Sequence, residues 1–293
     1  MSPQCAMVKP FALDGPDQFR PSTPYQLNTN THNKQMKEIK EVVRISGRLG
    51  DREKVIAEYW ADGIDSTLPG GHWQHIAISM AIKKDLDLYE TTLLLFLQAC
   101  AAFDAGLCCW AAKRYFNFAR PITMIQCSLA GVKAKAWSGP YQGVDVINLS
   151  KWQPYQNKYF VSPPFSESPS GHSTFSSASA EVLARFFGSD EMGLSDTVKK
   201  GESLFEPKIV KGEKGYISGV TDAQNSDPET KGYVPAKDVT LSWKTFTEAA
   251  NEAGFSRLYG GIHFRKGNEE GLKLGRKVAG VVWDKFVDLT GYE

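Results

Sequence analysis

Three separated stretches of this sequence combine cations, histidine and glycine in a way that suits one chemistry, the handling of a compact oxyanion. Lys113 and Arg120 lie seven residues apart. On a helix that is two turns, so both side chains leave the same face. Pro169-Ser170-Gly171-His172 stands immediately before a stretch with helical spacing of apolar residues. A helix start offers unpaired N–H groups and the positive end of the dipole to an anion, and Gly171 lets backbone approach an oxygen closely. Ser256-Arg257-Leu258-Tyr259-Gly260-Gly261-Ile262-His263 adds a second guanidinium and a second imidazole. Together the three cations offset the charge of a tetrahedral oxyanion, and each forked guanidinium matches two of its oxygens. One histidine can stand in line with the central atom as nucleophile or ligand, while the other handles a proton. Each piece alone has a plainer reading, a solvated helix face or a helix cap; the ordered triplet is what carries the signal.

That triplet resembles the signature of the superfamily of vanadium-dependent haloperoxidases and type-2 phosphatidic-acid-phosphatase-like acid phosphatases, K-x6-R-P, then P-S-G-H, then S-R-x5-H. The matching positions are Lys113, Arg120, Pro121, Pro169, Ser170, Gly171, His172, Ser256, Arg257 and His263. Flanking segments, Pro69-Gly70-Gly71-His72-Trp73, Asp104-Ala105-Gly106 and Tyr259 to Phe264, look like the bacterial-type haloperoxidase branch. The resemblance implies that Lys113, Arg120, Ser170, Gly171 and Arg257 bind the equatorial oxygens of vanadate, or of phosphate in the same site. It implies that His263 bonds vanadium axially or attacks phosphorus, that His172 is the acid–base residue, and that Lys113 polarises the peroxide. Both chemistries fit one pocket because vanadate readily adopts the trigonal bipyramid that a phosphoryl group reaches only in transfer.

The implied activity is oxidation of halide by hydrogen peroxide to hypohalous acid, with a small organic acceptor downstream. The alternative is a soluble acid phosphatase acting through a phosphohistidine, and a third reading is a non-catalytic anion-binding protein on the same fold. Trp110, one turn before Lys113, and Phe165, seven residues before His172, stand where such haloperoxidases shape a halide pocket, with plain core packing as the competing reading. The 83 residues between His172 and Ser256 exceed the short spacing of small membrane lipid phosphatases. Gly267 is the main departure, because many members carry a carboxylate there, as H-x3-D. The expectation is that a backbone carbonyl orients His263 instead. Relatives are usually considerably longer, with two helical bundles, so a shortened member, a C-terminal portion and a homo-oligomer that supplies the missing half all stay open.

The elements that must position these residues read as all-α, a helical bundle with long loops. Residues 1–33, rich in Pro, Asn, Thr and Gln, read as an extended arm, and 34–293 as a single domain. Helical spacing predicts helices over Met36–Ile45, Arg52–Trp60 and His72–Ile82, with Leu68 to Gly71 as a turn. Asp85–Phe118 is the strongest helix signal, stopped or kinked by Pro121. Ala130–Pro169 reads as loop, His172–Phe187 as helix with Gly188 at its C-cap, and Ser189–Thr240 as a long polar loop. Ser242–Gly254 and Glu269–Leu289 complete the helices, the latter capped by Asn268. Asp104, inside the apolar helix, is expected to pair with a buried cation, with the pocket arginines as candidates.

Composition narrows the partners. With 42% hydrophobic and 23% charged residues the chain is globular, and its length lets it bury roughly 75% of its extended surface. A net charge of +1 argues against coating nucleic acid or a membrane surface. The five cysteines, Cys5, Cys100, Cys108, Cys109 and Cys127, show no C-x-x-C spacing and read as buried reduced thiols. No signal peptide is visible in Met1 to Gln26, and the apolar Thr91–Ala112 stretch, broken by Gln98 and Asp104, reads as a buried helix. The compartment is not readable. His72 and His75, at i,i+3, lack a third ligand at telling spacing, so zinc is not expected.

Overall fold

The computed structural model describes residues 3–63, 66–157, 159–208 and 233–292. In chain order the helices are α1 (His32–Ser46), α2 (Asp51–Tyr59), α3 (Leu68–Lys83), α4 (Leu88–Phe116), α5 (Pro121–Ser128), α6 (Gly171–Phe186), α7 (Phe246–Tyr259) and α8 (Arg265–Thr290). Two small antiparallel pairs accompany them, β1 (Lys133–Trp137) with β2 (Val144–Asn148), and β3 (Glu191–Val198) with β4 (Val239–Thr245).

α4 is the longest helix of the bundle. It starts at a capping box, in which the Asp87 carboxylate accepts from Glu90 N at 2.8 Å and the Glu90 carboxylate accepts from Asp87 N at 3.0 Å. No proline interrupts its 29 residues, and it ends at Asn117 in the left-handed region. Pro121 does not kink α4; it opens α5 at the first helical position, where a missing N–H costs nothing. By length and composition α4 with α5 passes for a membrane span, but 61% of its most apolar window is buried inside the bundle. It packs with α3, α6 and α8 around Trp73, Met80, Leu94, Leu97, Val182 and Val278, all fully buried.

α6 and α8 approach each other through small residues. α6 presents buried Ser173, Thr174 and Ser177, and α8 answers with Gly271 and Gly275. A Cβ at Gly275 would stand 2.1 Å from Ser177 Oγ and 2.2 Å from the Thr174 carbonyl; one at Gly271 would stand 2.6 Å from the Ser170 carbonyl. The stripe therefore brings the start of α6, with Ser170 to His172, against the start of α8.

Several expectations change. Leu68 to Gly71 is the first turn of α3 rather than a separate turn. The Ala130–Pro169 segment is not all loop, since Lys133–Trp137 and Val144–Asn148 form a hairpin; the strands are only five residues each and the surrounding prolines mask them. β4 runs where the sequence suggested the start of a helix: Leu241 and Trp243 are buried while Thr240, Ser242 and Lys244 face out, a period of two. α7 begins only after the Thr245–Glu248 capping box. β3 and β4 also replace both ends of the supposed Ser189–Thr240 loop, of which 209–232 lies outside the described residues. α8 starts at Arg265, earlier than expected, with Phe264 at the N-cap; Asn268 is buried in its first turn and accepts from Ser173 Oγ at 2.7 Å. Of the cysteines, only Cys108 and Cys109 are buried, and Cys127 is exposed; none is disulfide-bonded.

Asp104 does not meet a cation. Its fully buried carboxylate accepts the backbone N–H groups of Phe11, Ala12 and Leu13 at 2.7, 2.8 and 3.1 Å, pinning the N-terminal segment to α4. Asp104→Ala leaves these N–H groups without their acceptor, so unfolding free energy should fall by about 3 kcal/mol or more. Denaturant melts and limited proteolysis check this; an unchanged midpoint with a protease-resistant arm would refute the anchoring role.

Candidate active site

Lys113, Arg120 and Arg257 are all buried, and each is held by carbonyl oxygens. Lys113 lies in the last turn of α4, where the negative end of the helix dipole favours a cation. Its Nζ donates to the Ser166 carbonyl at 2.8 Å and the Glu167 carbonyl at 3.1 Å. Arg120, the N-cap of α5, donates from Nε to the Phe165 carbonyl at 2.9 Å and from Nη1 to the Ile262 carbonyl at 2.8 Å. Arg257, in the last turn of α7, donates from Nη1 to the Trp60 carbonyl at 2.8 Å.

The two histidines sit among these cations. Arg120 Nη1 donates to His263 Nε2 at 2.9 Å. A guanidinium can only donate, so Nε2 carries the lone pair and Nδ1 the proton. Nδ1–H donates to Glu167 Oε1 at 2.8 Å. His172, in the first turn of α6, donates from Nε2 to the Ala61 carbonyl at 3.1 Å, which leaves Nδ1 as its basic atom. Ser170 is the N-cap of α6 and its Oγ accepts from Ser173 N. Gly171 is the first residue of that helix, where N–H groups have no partner within the helix. Trp110 and Phe165 line the same place: their ring centroids are 5.4 Å apart, and Lys113 Nζ lies 5.9 and 5.3 Å from them. His72 does not act as a ligand with the exposed His75; it pairs with Asp62 at 2.8 Å and stacks on Trp60.

The electrostatics follow from burial. Burial lowers Lys113 strongly, and brings Arg120 and Arg257 down to about 10. Arg120 is lowered further by Arg257 and raised by Glu167. Burial pushes His172 well below the ordinary imidazole value, with Arg257 the largest charge acting in the same direction. His263 is likewise depressed by burial, then by Arg120 and Lys113. Both rings are therefore neutral near pH 7 while the guanidiniums stay charged. Arg120 Nη2 and Arg257 Nε are buried and have no hydrogen-bond partner among the described residues. Unmet cationic donors beside a neutral imidazole lone pair fit a bound tetrahedral oxyanion, so the residues present suit vanadate or phosphate.

Every oxyanion-site residue expected from the sequence thus enters one cluster. The sequence reading missed the partners of these groups, among them the Trp60 carbonyl at Arg257, the Ser166 carbonyl at Lys113, the Ile262 carbonyl at Arg120, the Ala61 carbonyl at His172, and Glu167. Glu167 also corrects the expectation that a backbone carbonyl orients His263, because a buried carboxylate does so. The available signal was a lone carboxylate three residues before Ser170, in a loop where little else is charged.

Comparison with known proteins agrees with this fold. Residues 93–291 match the profile of the VCPO second helical-bundle domain. Among solved structures, the fold is shared with a holo-type bacterial vanadium-dependent chloroperoxidase at TM-score 0.81 and 23% identity, over 99% of this chain and 55% of that one. The apo-type bacterial vanadium-dependent chloroperoxidase gives TM-score 0.82 and 23% identity, over 100% and 57%. A bacterial vanadium-dependent iodoperoxidase gives 0.71 and 28%, over 97% and 57%. The chain spans little more than half the length of these structures. No curated protein sequence matches it significantly.

An anion entering the cluster cancels part of the cationic field at His172. Phosphate should therefore raise the pKa of His172, toward the ordinary value near 6.5, in an NMR titration of the ring. A ring whose titration ignores saturating phosphate would place the anion elsewhere.

Proposed function

We propose that this chain, which belongs to the family of the VCPO second helical-bundle domain, is a vanadate-dependent haloperoxidase that uses hydrogen peroxide to oxidise halide to hypohalous acid. The observation that carries the reading is the pair of buried guanidinium donors, Arg120 Nη2 and Arg257 Nε, that have no partner among the described residues, in the cluster that holds His263. Vanadate, when bound, supplies a Lewis-acidic centre that activates peroxide for attack by halide without a change in the metal's oxidation state.

The chain's own residues supply the rest. Arg120 Nη2 and Arg257 Nε, which have no partner among the described residues, would donate to the oxygens of vanadate. Ser170 Oγ, already an acceptor from Ser173 N, keeps its own O–H to donate, and the Gly171 N–H adds a second neutral donor. Lys113 has two of its three donors on carbonyls, which leaves one N–H of the ammonium to polarise peroxide. His263 Nε2, which here accepts from Arg120 Nη1, would hold vanadate once that hydrogen bond gives way. His172 takes and returns protons at Nδ1, its depressed pKa keeping it a ready acceptor near neutrality. Trp110 and Phe165 form an aromatic wall at Lys113 that suits a weakly hydrated halide. A small organic molecule is the final acceptor.

Glu167 favours a second reading to be tested beside the first. A carboxylate-supported imidazole is also the nucleophile an acid phosphatase needs, so the glycine at 267 does not disqualify phosphate transfer through His263. The purified protein should halogenate an indicator dye with peroxide and chloride, bromide or iodide only after vanadate is added, with phosphate competing. Vanadate-inhibited release of phosphate from an aryl phosphate, without halogenation, would select the phosphatase reading instead. Neither activity, with phosphate binding retained, would leave an anion-binding protein. His263→Ala should reduce either turnover by at least about 1000-fold; near-normal turnover would refute the role given to that imidazole.

A further inference from the structure

We propose that Glu167 is the positioning carboxylate of His263, and that Gly267 is the glycine that makes room for it: the function usually assigned to an acidic residue on α8 has been moved to the loop ahead of α6. The proposal rests on the reading of His263 as the group that faces the oxyanion.

Glu167 is 1% exposed, and its Oε1 accepts from both His263 Nδ1–H at 2.8 Å and Phe264 N–H at 3.0 Å. One oxygen thus fixes the ring and the backbone next to it. A Cβ at position 267 would stand 2.2 Å from that oxygen and 2.8 Å from the carboxyl carbon. No side chain fits there while Glu167 holds its place, and an aspartate at 267 would occupy the same volume. The two placements exclude each other.

The loop that carries Glu167 is fixed on both sides. Glu167 N donates to the Phe118 carbonyl at 2.9 Å, and Phe118 N donates to Ser166 Oγ at 2.9 Å. Lys113 holds the carbonyls of Ser166 and Glu167, and Ser170 N donates to the Gly267 carbonyl at 2.9 Å. Residues 165–172 therefore supply the carbonyls for Lys113 and Arg120, the oxygen for His263, and Ser170, Gly171 and His172 themselves. Glu167 touches no reacting atom; it acts by holding the imidazole in the Nδ1–H tautomer with Nε2 toward the pocket.

The test compares the full-length protein with Glu167→Gln, Glu167→Ala, Gly267→Asp and the double variant Glu167→Ala/Gly267→Asp. The first readout is the 15N shifts of the His263 ring in the free protein, which report the tautomer without any ligand. The second is vanadate affinity by titration calorimetry, with inorganic phosphate in parallel. The wild type and Glu167→Gln, which keeps an acceptor oxygen, should show a single Nδ1–H tautomer. Glu167→Ala should show mixed tautomers and bind vanadate 10- to 100-fold more weakly. Gly267→Asp alone should also weaken binding. In the Glu167→Ala background the same aspartate should restore the tautomer and at least half of the lost binding free energy.

An unchanged tautomer and unchanged affinity in Glu167→Ala overturn the proposal while leaving the functional reading intact. A wild type that binds neither vanadate nor phosphate overturns the functional reading, and the ring shifts still decide the role of Glu167. Should Glu167→Ala fail to fold, Glu167→Gln and the double variant decide: a lost tautomer in the first, or no rescue in a folded second, counts against the proposal.

Discussion

A buried cation must be solvated by something, and here the solvent is peptide carbonyl. Lys113, Arg120 and Arg257 draw on the carbonyls of Trp60, Phe165, Ser166, Glu167 and Ile262, while the carboxylates of Glu167, at His263, and Asp62, near Arg257 and His172, offset part of their charge. Removing an ion from water costs several kcal/mol even after relaxation, and carbonyl dipoles return part of that without neutralising the charge. Two of the three cations also end helices, where the peptide dipoles help again. The result is a buried cluster of positive charge in which Arg120 Nη2 and Arg257 Nε have no hydrogen-bond partner among the described residues. Matched carboxylates would stabilise the fold more and would leave no reason to admit an anion.

The rest of the architecture serves that arrangement. The small-residue seam between α6 and α8 brings two helix starts together, so that Ser170, Gly171 and His172 meet the segment that presents His263. Gly267 continues the same seam, at one-turn intervals with Gly271 and Gly275. Its role differs from theirs: the other two admit the backbone and hydroxyls of α6, while Gly267 admits a carboxylate. A single stripe of missing side chains thus does both packing and chemistry.

The sequence displayed the oxyanion cluster because its parts are polar residues at fixed spacings on predicted helix ends, and such spacings survive without knowledge of the tertiary structure. The all-α class was equally visible in the long apolar periodicity of α4. What stayed hidden was everything set by partners across the fold. Nothing near Asp104 in sequence says that its acceptors serve residues 11–13, ninety positions away. Glu167 sits in a proline-rich loop with no period, and its meaning appears only when the steric gap at Gly267 is seen beside it. The hairpin of β1 and β2 and the strand β4 were lost for a different reason, because stretches of five to seven residues give too few repeats to separate a period of two from a period of 3.6.

The groups around the cluster come from Ala61, from 113–120, from 165–172 and from 257–267, so the chain must close several long loops before any of them meet. Such a contact pattern has a high contact order, and its entropy is lost before its contacts form. A ribosome must have released residue 267 before the cavity can exist at all. Growing or clipped chains consequently hold exposed, hydrated cations in place of a buried cluster.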